Sequence, residues 1–144
     1  MLGSHLRYGQ GVRRVGILLL LLLGSACAPP ATSDNAAVER DYAEKRSAVE
    51  VTADGMVTRV LADESGPSGI HQRFIIRLAG STQTVVVENN VTIGQRAPVL
   101  VGDDVRVHGE YVWNDQGGLI HFTHHDPAPA HEGGWIELKG VRYQ

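Results

Sequence analysis

Apolar residues along this chain follow three successive patterns. Residues 15–23 form an apolar run, unbroken from Leu18 to Leu23. Residues 35–49 carry a sparse helical spacing: Val38, Tyr42 and Val49 fall on one side, and Asp41 precedes Lys45 at ion-pair spacing. From about residue 50 the period drops to two, as in strands with one face in a core. Segment 56–61 is β-branched and follows Gly55, while 71–78 puts Phe74, Ile76 and Leu78 on one face and Arg73 and Arg77 on the other. Segment 84–88 is a valine run, and 105–113 alternates Val105, Val107, Gly109, Tyr111 and Trp113 with Arg106, His108, Glu110 and Val112. Further strands are expected over 119–123 and, as a short edge, over 135–138. Turn signals separate them: a loop over 63–69, Ala79-Gly80-Ser81, a break over 94–98, and Asn114-Asp115-Gln116-Gly117-Gly118.

About five strands in roughly 90 residues, with no long helix, suffice for one small barrel or sandwich. Three strands, an irregular connection and two more strands is the order of an OB-like antiparallel β-barrel. Gly109 in an apolar strand fits the bend or close approach that a small barrel needs. An open antiparallel sheet or a sandwich is the competing arrangement. The expected organisation is a signal segment over 1–26, a lipidated cysteine and tether over 27–48, and the OB-like domain over 49–144.

Arg7, Arg13 and Arg14 precede the apolar run, and Gly24, Ser25, Ala26 and Cys27 follow it. The run is about half the length of a membrane span, so it reads as the core of a cleaved export signal. Leu23-Gly24-Ser25-Ala26-Cys27 resembles the lipobox of bacterial lipoproteins, with Gly24 where an aliphatic residue is usual. Ordinary cleavage after Ala26 is the other reading. Lipidation of Cys27 would make the membrane a partner and place the chain on the periplasmic side of the cell envelope. Ala28 after the cysteine, rather than Asp, favours the outer membrane. Ala28-Pro29-Pro30-Ala31-Thr32-Ser33 would then act as a spacer.

Removing the leader changes the charge. All 16 acidic residues but only 10 of the 13 basic ones lie after Cys27, so that part carries a net charge of −6. Such a field repels polyanions, which argues against a nucleic-acid partner. Cys27 is the only cysteine, so no disulfide framework exists and a packed core or a metal must supply stability.

Six histidines follow Cys27: His71, His108, His121, His124, His125 and His131. His121, His124, His125, Asp126 and His131 crowd the point where a strand runs out into a loop stiffened by Pro127 and Pro129. Imidazole nitrogen and carboxylate oxygen suit a divalent transition metal, so these five are candidate ligands. On an extended backbone His124 and His125 point to opposite sides. Exposed loop histidines are the plain alternative. His71, Arg73 and Arg77 could join His108 and Glu110 in a polar patch for a small anion if their strands were neighbours. Trp113 is expected in the core or at the barrel rim. Trp135, beside Gly133 and Gly134, is a candidate stacking surface.

Several motifs occur in a particular order: His71-Gln72-Arg73-Phe74, Val101-Gly102-Asp103, Gly109-Glu110-Tyr111-Val112-Trp113-Asn114, Thr123-His124-His125-Asp126-Pro127, Gly134-Trp135-Ile136 and Gly140-Val141-Arg142-Tyr143-Gln144. Together, over residues 50–144, they resemble a bacterial family designated domain of unknown function 3465, with Phe122 where tryptophan is expected. The resemblance supplies no activity or cofactor. It implies that the His71 and His124–His131 motifs mark the family, which favours a shared site.

Gly-x-Ser-x-Gly, a catalytic cysteine and a phosphate-binding loop are all missing, so the sequence does not establish an enzyme. The leading expectation is an envelope-anchored module that binds a metal ion or small anion. A small metal-dependent hydrolase of phosphodiester type, with Arg73 or Arg77 steadying a phosphoryl group, is the second. A lipoprotein that binds an envelope protein partner is the third.

Overall fold

Alternation at period two, continued through small residues, makes the first strand longer than its apolar signal. β1 (Val49–Val60) turns Val51, Ala53 and Val57 inward and Glu50, Thr52 and Asp54 outward. Ala53 and Gly55 dilute the hydrophobicity of its first half without breaking parity, which is why only 56–61 stood out. The computed structural model describes residues 32–144; the expected signal segment and Cys27 lie outside the described residues.

The other strands are β2 (Glu64–Gly66), β3 (Gly69–Leu78), β4 (Thr84–Asn90), β5 (Asp104–Val112), β6 (Leu119–His121), β7 (Trp135–Leu138) and β8 (Val141–Tyr143). They pair in the order β1-β3-β4-β6-β5-β7-β8, and β1 also pairs with β5. The first five of that path thus close into an OB-like barrel. All pairs are antiparallel except β4 with β6. β2 falls inside the expected loop and extends the β3 hairpin, with Glu64 opposite His71. Phe74, Ile76, Val87, Val107, Ile120 and Ile136 are fully buried inside. Each such side chain contributes about 1.5–3 kcal/mol by leaving water. Tyr111 fills the centre, donates to the Gly117 carbonyl at 3.2 Å, and burial pushes its phenol pKa up to about 12.

A helix, α1 (Asn35–Ala43), precedes the barrel and is attached to it. Asp34 caps it by accepting from the Ala37 amide at 3.0 Å, and Val38 is fully buried in the barrel's core cluster. Asn35 donates to the carbonyls of Asp54 and Ala79 and accepts from the Asp54 amide, and the Asp34 amide donates to the Thr52 carbonyl, so the start of the helix is bonded to β1 and to the turn after β3. Asp41 pairs with Arg46 at 3.1 Å and not with Lys45. The reason is local: Lys45 has a φ of 55°, so the helix has ended, and its ammonium lies 5.3 Å from the Trp113 ring instead. Trp113 donates from Nε1 to the Tyr42 carbonyl at 3.1 Å, the rim packing expected of it.

One edge of β5 is shared. β6 pairs with residues 110–112, and β7 pairs with residues 105–108. The changeover falls at Gly109, where a Cβ would sit 2.2 Å from the His121 carbonyl oxygen. At the return, a Cβ on Gly134 would sit 2.1 Å from the Phe122 oxygen and 2.5 Å from the His108 oxygen. Residues 122–134 therefore leave and re-enter the sheet through a gap that only glycine backbone permits. Gly109→Ala should cost about 3 kcal/mol, the upper part of the range for overpacking. Thermal denaturation should show a melting temperature lower by roughly 10 °C or more; an unchanged midpoint would mean the crossing is not tight.

Candidate functional site

The outward residues of the wall carry the chemistry. Strand register places Glu50 opposite Glu110, Glu110 opposite His121, Thr52 opposite His108, and Arg73 opposite Glu88. His121 Nε2 lies 3.0 Å from a Glu110 oxygen. Above this wall the loop 122–134 folds back and encloses a pocket of about 280 Å³. His71, His121, His124 and His131 line it together with Glu88, Asp126 and Phe122, and among the described residues no lysine or arginine lines it.

The loop's histidines are oriented by the backbone. Nδ1 of His124 bonds the His125 carbonyl at 2.8 Å, and Nδ1 of His131 bonds the Glu132 carbonyl at 2.6 Å. A carbonyl only accepts, so both rings carry their proton on Nδ1 and leave Nε2 as the second nitrogen. The two rings meet edge to face with centroids 5.2 Å apart. Phe122 is sandwiched between His121 and His131, at 3.9 and 4.1 Å between centroids. Its φ of 53° is an unfavourable conformation for a bulky residue, costing about 1–3 kcal/mol, which the sandwich offsets. His124 is buried, and burial pushes its pKa below the ordinary histidine value, with the Nδ1 bond opposing.

Asp126 mainly shapes the loop. Its carboxylate accepts from the amides of Ala128 (2.8 Å), His131 (2.7 Å) and Ala130, and these bonds, Ala128 first, hold its pKa below the usual range. One of its oxygens also lies 3.8 Å from His131 Nε2. His71 Nε2 is 3.4 Å from Ser68 Oγ on the opposite rim.

Of the expected ligands, His71, His121, His124, Asp126 and His131 line this one pocket, though no three of their ligand atoms lie within 4.8 Å of one another. His125, expected as a ligand, does not: it is exposed and offers its carbonyl, which accepts from His124 Nδ1. The expected anion patch does not form, because β3 and β5 flank opposite edges of β1. Arg73 is held by Glu64 and Glu88, at 2.7 and 3.0 Å. Arg77 lines a different depression at the far end of β3. Trp135 is buried, stacked on His108 and covered by Arg142, whose guanidinium carbon is 3.9 Å from the ring centre.

Sequence reasoning missed Glu88, Glu50 and Glu132. Nothing in the sequence brought these three glutamates near the histidines. Glu50, His108 and Glu132 are, among the described residues, the set of three metal-capable side chains whose ligand atoms lie within 4.8 Å of one another. Burial raises the Glu50 pKa, and the nearby Glu132 carboxylate raises it further.

A family model described as "Protein of unknown function (DUF3465)" matches residues 19–144. The chain belongs to this family. The DUF3465 match reaches back beyond the barrel to include the end of the apolar run and Cys27. No curated protein matches the chain.

His124 gives a pH test. Its folded pKa is lowered, so between about 6.5, the unfolded value, and the folded value the unfolded chain binds the extra proton and stability falls as pH falls. Nitrogen-15 NMR should find His124 neutral at pH 7, protonated on Nδ1, with a midpoint below 6.5. A midpoint at or above the ordinary value would contradict the burial described.

Proposed function

We propose that this DUF3465 chain is an envelope-anchored lipoprotein whose barrel binds a divalent transition-metal ion in the histidine pocket. The observation that carries the reading is the paired orientation of His124 and His131. Each gives its Nδ1 proton to a main-chain carbonyl and keeps a lone pair on Nε2, the arrangement usual for metal-ligating imidazoles. The lining supports a cation over an anion: four imidazoles and the carboxylates of Asp126 and Glu88, the latter paired with Arg73, line the pocket, and among the described residues no arginine or lysine does. With Arg73 engaged and Arg77 remote, neither of the two expected arginines is placed to steady a phosphoryl group, so binding is favoured over phosphodiester hydrolysis.

Anchoring rests on the leader, with its basic start, short apolar core and Cys27 after small residues. The periplasmic side of the envelope, with the outer membrane preferred, follows from the same residues. The net charge of −6 after Cys27 fits a protein that does not bind nucleic acid.

Calorimetric titration of residues 28–144 with zinc tests the pocket. The double variant His124→Ala/His131→Ala should lose the pocket's equivalent, an affinity loss of at least about 100-fold, while His125→Ala should bind as the parent does. Equal zinc binding by parent and double variant would remove the pocket from consideration.

A further inference from the structure

A second group of side chains lies outside the pocket, on the wall beside it. Glu50 comes from β1, His108 from β5, and Glu132 from the loop just before β7. His108 Nε2 is 3.3 Å from a Glu132 oxygen and 4.0 Å from a Glu50 oxygen. We propose that Glu50, His108 and Glu132 form a second divalent-cation site, which fastens the loop carrying the pocket histidines to the barrel wall.

Three features support it. The first is orientation: His108 Nδ1 lies 2.9 Å from Thr52 Oγ1, and its ring stacks on Trp135 at 5.6 Å with an interplanar angle of 22°. The imidazole is therefore held from its far nitrogen and from one face, with Nε2 directed at the two carboxylates. Ligating histidines are normally aimed by a hydrogen bond on the second nitrogen, and here the Thr52 hydroxyl occupies that position.

The second is charge. Among the described residues neither Glu50 nor Glu132 is paired with a lysine or arginine, and His108 is the one ion-pair partner of both. The nearest basic candidate, Arg142, is engaged with Glu137 at 3.1 Å over the Trp135 ring. Two carboxylates share one imidazole, and a divalent ion would balance them. The third is donor type and reach. One imidazole nitrogen and two carboxylate oxygens suit zinc or manganese, and bonds of about 2.0–2.2 Å to one ion need donor atoms roughly 3–3.5 Å apart. The His108–Glu132 pair already meets this, and the exposed Glu50 side chain needs only a small shift.

Glu132 joins the two regions. Its carboxylate belongs to the second site, and its carbonyl accepts from His131 Nδ1 in the pocket. An ion held by that carboxylate would fix the residue that sets the tautomer of His131. The site itself does not depend on the pocket reading, since the two share no ligand side chain.

Zinc titration separates the two. The variant Glu50→Gln/Glu132→Gln is isosteric and on the surface, so it should keep the parent circular dichroism spectrum. It should bind one zinc equivalent fewer than the parent, both in the otherwise natural chain and in the His124→Ala/His131→Ala background. Zinc added to that pocket-deficient background should also shift the ring resonances of His108. If the glutamine pair leaves stoichiometry unchanged, or His108 resonances do not move, the second site is overturned. Loss of an equivalent only on changing His124 and His131 would keep the pocket and overturn this site. Loss only on changing Glu50 and Glu132 would do the reverse.

Discussion

A strand edge can be hydrogen-bonded only once at each position, and the free edge of β5 is needed by two strands. β6 must pair with it to close the barrel, and β7 must pair with it to continue the sheet. Both needs are met because Gly109 and Gly134 let the backbones of 108–109, 121–123 and 134 approach within distances no Cβ tolerates. The excursion between them, residues 122–134, has both ends fixed at one point on the wall. Thr123 is buried there and donates to the Glu88 carbonyl at 3.1 Å, and the Gly134 amide donates to the His124 carbonyl at 3.0 Å. A loop so anchored has little freedom except to fold back over the outward side chains of the strands beneath.

Electrostatics then decide what that covered wall can hold. Several basic side chains are committed to other carboxylates: Arg106 to Asp54, Arg96 to Asp63, Arg46 to Asp41, Lys139 to Asp103. Glu50, Glu110 and Glu132 have histidine partners instead. On the proposed reading, a wall of imidazoles and carboxylates beneath a buried His124, whose pKa burial lowers, suits a cation that accepts nitrogen donors better than a phosphate or carboxylate ligand.

The barrel was legible because its strands obey parity strictly; Phe74, Ile76 and Leu78, or Val105, Val107 and Tyr111, needed no tertiary information. The first half of β1 was less legible because Ala53 and Gly55 bury little area. Docking of α1 was not legible at all, since it depends on Asn35 meeting the carbonyls of Asp54 and Ala79 across the fold. The histidine cluster was visible as composition, but parity could not choose between His124 and His125, because the chain bends there instead of continuing as a strand. Its partners were not visible, because strand order decides that Glu88 and His71 border the loop whereas Arg77 does not. Glu50 and Glu132 lie far apart in sequence and meet only through the β1–β5 pairing that closes the barrel.

The central claim is that this histidine-rich wall exists to hold metal. It is tested most directly by metal analysis and thermal denaturation of residues 28–144 purified without a tag, before and after a chelator. A stoichiometric transition metal is expected, and its removal should lower the melting temperature. Zinc returned at about 100 times Kd should restore roughly 10 °C. A metal-free protein whose melting temperature neither falls with chelator nor rises with added zinc would contradict it.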